Sequence, residues 1–346
     1  MIRLSLLQFR AQAATAAAAL TVLAVILAAS GPHLFGLYHS SGIATCQAHG
    51  DCVPLATSFV TKLAGFYNVL YFLGIGIVLL VPAVIGTFWG APLITRELEA
   101  GTLQLAWTQS VTRTRWLAGR LGLGALAAMA TAGLFSLLLT WWSAPVDTAA
   151  PFAEHNSVTF IRLGYALFPT RGITPIGYAA FGFALGVTAG VLIRRTVPAM
   201  AATLGCFALI QIVWPIWVRP HLLSPAHATV ALTTANISGL AAGPGGTTFV
   251  NSPVLPDITG GWVLSFQTID PAGRPFNANT VQACLGTNFQ ACQNTLGRLH
   301  LTDVITYQSA SRFWALQWYE CGIFLAAAVL LAGFSFWLIR SRHLSG

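Results

Sequence analysis

Residues 93–120, LITRELEAGTLQLAWTQSVTRTRWLAGR, form a charged interruption between two strongly apolar segments of the chain. Pro92, just before the stretch, suits the first turn of a helix, and Gly101 is the residue type expected just after a helix ends. Thr102 or Ser110 can cap a following helix, because a side-chain oxygen at that position accepts a hydrogen bond from a free backbone N–H. The stretch therefore predicts an elbow of two short helices broken at Gly101.

The charges of this elbow predict that it binds a partner. On the side of the membrane where the arginines beside the span ends collect, Glu97 and Glu99 are the only carboxylates. The basic residues of the elbow are Arg96, Arg113, Arg115 and Arg120. Arg113 and Arg115 fall near a helix start, where the helix dipole disfavours cations, so lipid phosphate or an acidic partner is expected to hold them. The alternative is an ordinary positively charged intracellular loop.

The composition identifies an integral membrane protein. Of 346 residues, 55% are hydrophobic and 8% are charged, and the mean hydropathy is +0.71, whereas soluble domains have about 25% charged residues. The formal charge is +8, and Lys62 is the only lysine among 17 basic residues. The arginines lie beside apolar runs and form no basic patch with interleaved aromatic residues, so nucleic acid is not an expected partner.

Six apolar segments can each cross a bilayer as a helix, because about 20 residues span its hydrocarbon core. They are residues 11–29, 66–88, 117–142, 173–193, 197–218 and 314–339, predicted as spans one to six. Span one has a signal peptide as its alternative, since Ala28, Ala29 and Ser30 loosely resemble a cleavage site, but its apolar run exceeds a typical signal core. The expected fold is an all-α polytopic membrane protein.

The polar sequence between spans five and six predicts an external domain. The expected divisions are a membrane domain at 1–218 with its polar loop at 90–116, the external domain at 219–313, and the sixth span with a cytoplasmic tail at 314–346. Residues 261–269 alternate like a strand, and residues 270–273, DPAG, have turn chemistry. A β-hairpin is therefore expected inside the external domain.

Four cysteines fall in two closely spaced pairs within polar connections, Cys46 with Cys52 and Cys284 with Cys292. Both pairs fall on the same predicted side of the membrane, and an oxidising compartment there favours two local disulfides. His49 lies between the cysteines of the first pair. A metal site formed by Cys46, His49 and Cys52 is the alternative, although no fourth ligand is obvious nearby.

Glycines in span four predict a close helix contact. Gly182, Gly186 and Gly190 recur at every fourth position and place a smooth stripe along one face of the helix. Such stripes let two membrane helices approach closely. The contact is expected either within one subunit or across a dimer.

A few polar or helix-breaking residues inside the spans are candidates for a substrate path. Gln211 and Pro215 in span five, and Pro82 in span two, can line such a path; interhelical hydrogen bonding, a kink or close helix packing are the alternatives. Glu320, near the start of span six, is interpreted as an interfacial carboxylate that reaches toward water rather than as a proton site.

Charge bias predicts the orientation of the chain. Six spans place both termini on one side, and arginines next to the span ends make that side cytoplasmic. These arginines are Arg3, Arg10, Arg96, Arg113, Arg115, Arg120, Arg194, Arg195, Arg340 and Arg342. The cysteine pairs fall on the opposite side, so charge and redox chemistry favour the same topology.

Residues 96–105, RELEAGTLQL, and residues 110–117, SVTRTRWL, resemble the R-E-x-x-x-G-T and S-V-S-R-x-x-W signature of type-2 ATP-binding-cassette (ABC) exporter permeases. Residues 307–320 also resemble permeases of this kind from actinobacteria. In that family the elbow docks in a groove on a separate ATPase subunit. The resemblance thus implies ATPase-coupling roles for Arg96, Glu97, Glu99, Gly101, Thr102, Arg113 and Arg115.

The resemblance also implies a function and partners. The chain is expected to be the permease subunit of an ATP-driven exporter in a bacterial plasma membrane, paired with a second copy or a paralogue. ATP and Mg²⁺ are expected on the partner ATPase, and no cofactor is expected in this chain. The path is implied to run between subunits near spans two and five, and its few charges suit amphipathic drug, antibiotic or lipid-like cargo.

The chain itself is not expected to be an enzyme. A phosphate-binding G-x-x-x-x-G-K-[ST] loop needs a lysine followed by Ser or Thr, and Lys62 is followed by Leu63. The polar connections show no nucleophile elbow. The alternative function is a membrane anchor or sensor with a ligand-binding external domain. Secondary transport is disfavoured because the spans contain essentially no acidic or histidine relay.

Overall fold

The computed structural model describes residues 2–46, 52–99, 113–153, 161–234, 237, 239–242, 248–251, 260–277, 280–284 and 289–341. Within these residues, six helices are long and apolar enough to cross a membrane. They cover Gln12–Ser40, Phe66–Glu97, Ala118–Phe152, Thr174–Ile193, Thr196–His221 and Ala310–Ser341, and these ranges are called spans one to six from here on. The predicted all-α polytopic class is confirmed.

The helices in chain order are α1 (Ile2–Ser40), α2 (Ile43–Cys46), α3 (Val53–Lys62), α4 (Phe66–Ile85), α5 (Pro92–Glu99), α6 (Arg113–Ala149), α7 (Thr174–Ile193), α8 (Thr196–Val213), α9 (Phe289–Gly297) and α10 (Phe313–Ser341). A π-helical turn at Gly86–Gly90 continues α4 into α5, and a second at Trp214–Val218 follows α8. α5 begins at Pro92, where the sequence predicts a first helical turn. The predicted break at Gly101 lies outside the described residues.

Span four is the central helix of the membrane unit. Of its most apolar window, 72% is buried, against 50% for span two, 33% for span three, 22% for spans five and six and 17% for span one. Its apolar residues are therefore enclosed by protein, while much of the apolar surface of the other spans faces outward. A helix that is apolar on all sides is typical of such a buried position.

The glycine stripe of span four packs against span two. A Cβ atom at Gly182 would lie 2.7 Å from the carbonyl oxygen of Pro82, and one at Gly190 would lie 2.7 Å from the carbonyl oxygen of Ala91. A Cβ at Gly186 would overlap the span-two backbone between those two points. The absence of side chains therefore lets the two backbones touch over the length of the stripe. This contact is made within one chain.

Other spans attach through aromatic and polar contacts. The indole Nε1 of Trp142 in span three donates to Ser30 Oγ in span one at 2.9 Å. The ring of Tyr178 in span four lies 4.6 Å from the ring of Phe324 in span six and 6.5 Å from that of Phe207 in span five. Spans five and six therefore pack on span four through an aromatic cluster.

Residues Pro220–Phe313 form a second compact unit. Its strands are β1 (Ala226–Ala231), β2 (Gly239–Ala242), β3 (Thr248–Asn251), β4 (Trp262–Ile269) and β5 (Thr302–Gln308). An antiparallel sheet has the order β1-β5-β4, with a register shift between Val263 and Ser265, and β2 pairs with β3. A small core forms beside α9 from Leu232, Ile237, Cys292, Leu296 and Leu301.

The strand and the turn predicted for this unit are present, but the residues after the turn form only a single β-bridge, Ile269 with Pro275, and β4 pairs with β5 instead. β4 covers all but the first of the residues that alternate in the sequence, and the chain then reverses through Asp270. The Asp270 carboxylate accepts hydrogen bonds from the backbone N–H groups of Ala272 and Arg274, at 2.9 and 2.8 Å. After the turn, Phe276 N donates back to Thr268 O at 2.8 Å. The aspartate thus stabilises the turn by accepting bonds from the backbone that follows it.

Candidate functional site

α5 is attached to span three by Glu97. The Glu97 carboxylate forms an ion pair with the guanidinium of Arg120, and the two side chains are 19% and 8% exposed. The pair therefore joins the end of span two to the start of span three inside the chain. Glu97 is directed into the fold, whereas its neighbour Arg96 is exposed.

α5 is attached to span five by Glu99. The backbone N–H of Thr196, the first residue of α8, donates to Glu99 Oε1 at 2.8 Å. Thr196 Oγ1 lies 2.8 Å from Glu99 Oε2 and 2.8 Å from the hydroxyl of Thr95. A carboxylate at this position also meets the positive end of the helix dipole of α8.

These bonds lower the pKa of Glu99. The backbone hydrogen bond from Thr196 has the largest effect, followed by the hydroxyl of Thr196, with the charge of Arg195 adding to both. Because the charged form is the one that accepts these bonds, Glu99 stays ionised to a more acidic pH than a free glutamate. The contact is therefore complete at neutral pH and weakens only as the pH falls through the lowered pKa.

The other predicted coupling residues are placed only in part. Arg113 and Arg115 lie in the first turn of α6, and their side chains lie outside the described part of the structure. Gly101 and Thr102 also lie outside it. On α5, Glu97 and Glu99 are thus both bonded to other spans of the same chain; Glu97 is half-buried, whereas Glu99 and Arg96 are exposed.

An apolar groove lies between spans two and five. Its volume is about 650 Å³, and its lining includes Leu80 and Ala83 from span two, Gln211 and Pro215 from span five, and Tyr165 from the segment before span four. The side-chain Nε2 of Gln211 is buried and has no hydrogen-bond partner in the described part of the chain. An unsatisfied donor beside an apolar groove is a site where a ligand oxygen gains a hydrogen bond at little cost.

The two predicted path residues of span five therefore lie in this groove, and Pro82 lies elsewhere on span two. Pro82 is buried, and its carbonyl oxygen is against Gly182 in span four. Pro215 belongs to the π-helical turn that follows α8. Such turns interrupt the regular ladder of hydrogen bonds and recur at functional sites.

The interpretation of Glu320 as a carboxylate that reaches toward water is wrong. Its side chain is 0% exposed and pairs with Arg219, whose Nε and Nη2 donate to the two carboxylate oxygens at 2.8 and 2.9 Å. The hydroxyl of Tyr178 also donates to Glu320. The guanidinium carbon of Arg219 lies 4.4 Å from the centre of the Phe168 ring. The physical reason is that Arg219 offers a partner at depth, so the carboxylate is neutralised without reaching water.

A second buried cluster was missed from the sequence. Asp147, near the end of span three, accepts from Arg171 Nε at 2.8 Å, from Tyr71 Oη at 2.8 Å and from Ser143 Oγ at 2.9 Å. The guanidinium carbon of Arg171 lies 5.3 Å from the centre of the Tyr71 ring. One signal in the sequence could have indicated this pair: Asp147 and Arg171, of opposite charge, lie at the two ends of the connection between spans three and four.

Gln317 is another residue that sequence reasoning missed. Its side-chain Oε1 accepts from the backbone N–H groups of Ile173 and Thr174, at 3.0 and 2.9 Å, and its Nε2 donates to Phe168 O at 3.2 Å. A side chain of span six thereby caps the first turn of α7. Together with the two charged clusters, it holds the ends of spans two to six that are opposite α5.

The cysteine pairs lie as the disulfide prediction requires. Cys46 and Cys52 are bonded, with Cα atoms 5.6 Å apart, and Cys284 and Cys292 are bonded, with Cα atoms 4.6 Å apart. His49 lies outside the described residues. Within the described part of the chain, no cluster of three His, Cys, Asp or Glu side chains has the arrangement of a metal site.

A family profile described as ABC-2 membrane transporter related matches residues 17–219, which cover nearly all of spans one to five. The chain belongs to this family. Members of the ABC-2 membrane transporter related family are membrane components of transporters and normally pair with an ATPase subunit. The chain is accordingly a multi-pass membrane protein and an ABC permease. Searches among curated proteins and among solved structures return no match.

Proposed function

We propose that this ABC-2 permease is the transmembrane subunit of an ATP-driven exporter whose ATPase docks on residues 93–116. The observation that supports this most directly is the attachment of α5: it continues from span two and is bonded to spans three and five through Glu97 and Glu99. A force applied to such an element reaches several spans at once. ATP and Mg²⁺ belong to the partner subunit, and this chain transmits the motion.

The groove between spans two and five is our candidate for the cargo path. Its lining is apolar apart from Gln211 and Tyr165, and the free N–H donor of Gln211 suits an ester, amide or hydroxyl oxygen. The proposed cargo is therefore amphipathic: a drug, an antibiotic or a lipid-like molecule with an acceptor oxygen beside an apolar body. An ion or a sugar would lose more hydration there than the groove can replace.

We place the permease in a bacterial plasma membrane with both termini in the cytoplasm. The arginines that flank the span ends on the α5 side support this orientation. A second copy of the chain, or a paralogue, completes the proposed transporter, since the groove opens on the surface of the single chain.

The test of this function is recovery of the partner. The tagged chain is purified from its native membrane in a mild detergent, and partners are identified by mass spectrometry together with vanadate-sensitive ATP hydrolysis in the eluate. An ATPase at a ratio of about one to one with the permease is the expected result. Recovery of the chain without an ATPase, under conditions that preserve other membrane complexes, refutes the proposal and favours a membrane anchor or sensor.

A charge reversal at Arg96 tests where the ATPase docks. Arg96 is exposed on α5, so Arg96→Glu alters the docking surface while keeping the internal bonds of Glu97 and Glu99. We expect the variant to insert normally and to lose most of the recovered ATPase. Arg340→Glu, at an exposed residue near the end of span six, is the matched control and should retain it. Equal recovery from both variants would exclude the elbow as the docking site.

A further inference from the structure

The start of span five lacks a cap of its own. Arg195 occupies the position before α8 with an extended backbone and makes no side-chain capping bond. The first backbone N–H of α8 is instead satisfied by Glu99 from α5. Because free N–H groups at a helix start need acceptors, the end of α5 and the start of α8 are bound as one junction.

A further contact supports this junction. The hydroxyl of Thr196 lies 2.8 Å from that of Thr95, which is fully buried within α5. The charged carboxylate and the buried hydroxyl therefore bind the same residue of α8 from successive turns of α5. The covalent connection to span four is the short turn at Arg194 and Arg195, where Arg194 ends α7 in a left-handed conformation with a φ of 61°.

α8 leads from this junction to the groove. It is regular from Thr196 to Val213, a length of about 27 Å at 1.5 Å per residue. Gln211 lies in its last turn, and Pro215 lies in the π-helical turn that follows. A regular helix moves as a unit, so a displacement at Thr196 is carried to the residues that line the groove.

We propose that Glu99 is the positioning residue that transmits movement of α5 directly to span five, and through it to the groove beside Gln211. This route runs through side chains and is separate from the covalent connections to spans two and three. The inference rests on the proposed function, because the movement of α5 is supplied by a docked ATPase. It assigns the exposed carboxylate of Glu99 to a contact with α8 of the same chain rather than to a bond with the ATPase.

Cys206 provides a native reporter on span five. It is exposed, whereas Cys321 is buried and the other four cysteines are held in disulfides. A bimane label on Cys206 in the full permease–ATPase complex, reconstituted in lipid nanodiscs, reports span-five movement as a fluorescence change when ATP and vanadate are added. The change is normalised to the amount of ATPase bound in each sample.

We expect the change to be lost in Glu99→Ala and reduced in Thr196→Val, which removes only the hydroxyl contact. Thr196→Ser keeps both the N–H and the hydroxyl and should respond like the parent protein. If Glu99 had a merely structural role, Glu99→Ala would lower the protein yield. The fluorescence change per bound ATPase would then stay as large as in the parent protein.

The outcomes separate the two proposals. A parent chain that recovers no ATPase refutes the proposed function. A Glu99→Ala complex that binds ATPase and responds like the parent overturns the inference alone. A Glu99→Ala chain that inserts but loses its ATPase also overturns it, because Glu99 would then belong to the docking surface.

Discussion

Arg171 and Arg219 are fully buried in the membrane unit, and each is neutralised by one carboxylate. Each guanidinium also lies over an aromatic face, that of Tyr71 for Arg171 and that of Phe168 for Arg219. A buried charge is costly unless it is paired and hydrogen-bonded. The bonds from Tyr71 and Tyr178 occupy carboxylate lone pairs that the guanidinium leaves open. Each cluster is therefore stable as a set, and removal of one member leaves its partners with unmatched charge.

Glu320→Ala is expected to destabilise the permease strongly. Arg219 would keep its charge at a position with 0% exposure and lose both of its hydrogen bonds to the carboxylate. Breaking a buried pair in this way costs about 3–5 kcal/mol. The midpoint of thermal unfolding in detergent should fall well below that of the parent. It is measured as the temperature at which half of the monodisperse protein is lost.

Arg340→Ala, at an exposed arginine, serves as the control and should unfold like the parent. Replacing both partners, by Arg219→Met with Glu320→Leu, should recover part of the lost stability, because no unmatched charge remains. If Glu320→Ala alone were as stable as the parent, the ion pair would not be what holds spans five and six together.

These clusters also show what a sequence does not reveal. Arg219 and Glu320 are 101 positions apart, and Tyr178 is 142 positions from Glu320. Their meeting depends on how whole spans pack, which no local pattern encodes. Gln211 was predictable as an unusual polar residue in an apolar span, but its free donor and the groove beside it depend on the surrounding helices.

At the scale of elements, the contact between spans two and four determines how the membrane unit is built. The glycines recur within one short stretch, so the sequence alone predicts a smooth helix face. The helix lengths and the start of α5 at Pro92 also depend on neighbouring residues only and are predictable in the same way. The identity of the facing helix is not local. Span two approaches closely because its own Gly86 and Gly90 also leave room for the span-four backbone.

Gly182→Ala tests this contact. The added Cβ would lie 2.7 Å from the carbonyl oxygen of Pro82, closer than the 3.0 Å below which real Cβ contacts essentially never occur. The two backbones must separate, at a cost of about 1–3 kcal/mol. We expect a lower unfolding midpoint and weaker assembly with the ATPase, measured by thermal unfolding and by co-purification.

Gly205→Ala is the matched control, because a Cβ there meets nothing within 4 Å. It makes the same glycine-to-alanine substitution in another membrane helix. It should be neutral or slightly stabilising, since alanine stabilises a helix by about 1 kcal/mol relative to glycine. If both variants unfold alike, the close approach of spans two and four is not what limits stability.

At the scale of the whole molecule, the exposed arginines and the Cys46–Cys52 disulfide lie at opposite ends of the spans of the membrane unit. The α5 side of the membrane unit has exposed Arg96, Arg194, Arg195 and Arg340, while the Cys46–Cys52 disulfide follows span one at the other end. Disulfides persist in oxidising compartments, and positively charged span ends remain in the cytoplasm. The proposed orientation, with α5 in the cytoplasm, satisfies both requirements.

This orientation predicts which cysteines react from outside the cell. In a background with Cys206 and Cys321 replaced by serine, a membrane-impermeant reductant should open both disulfides in intact cells and expose their thiols to an impermeant maleimide. A reporter at Arg96→Cys, on the exposed surface of α5, should react only after the membrane is permeabilised. The reverse pattern would place α5 outside, where no cytoplasmic ATPase reaches it, so the measurement tests the orientation on which ATP-driven coupling depends.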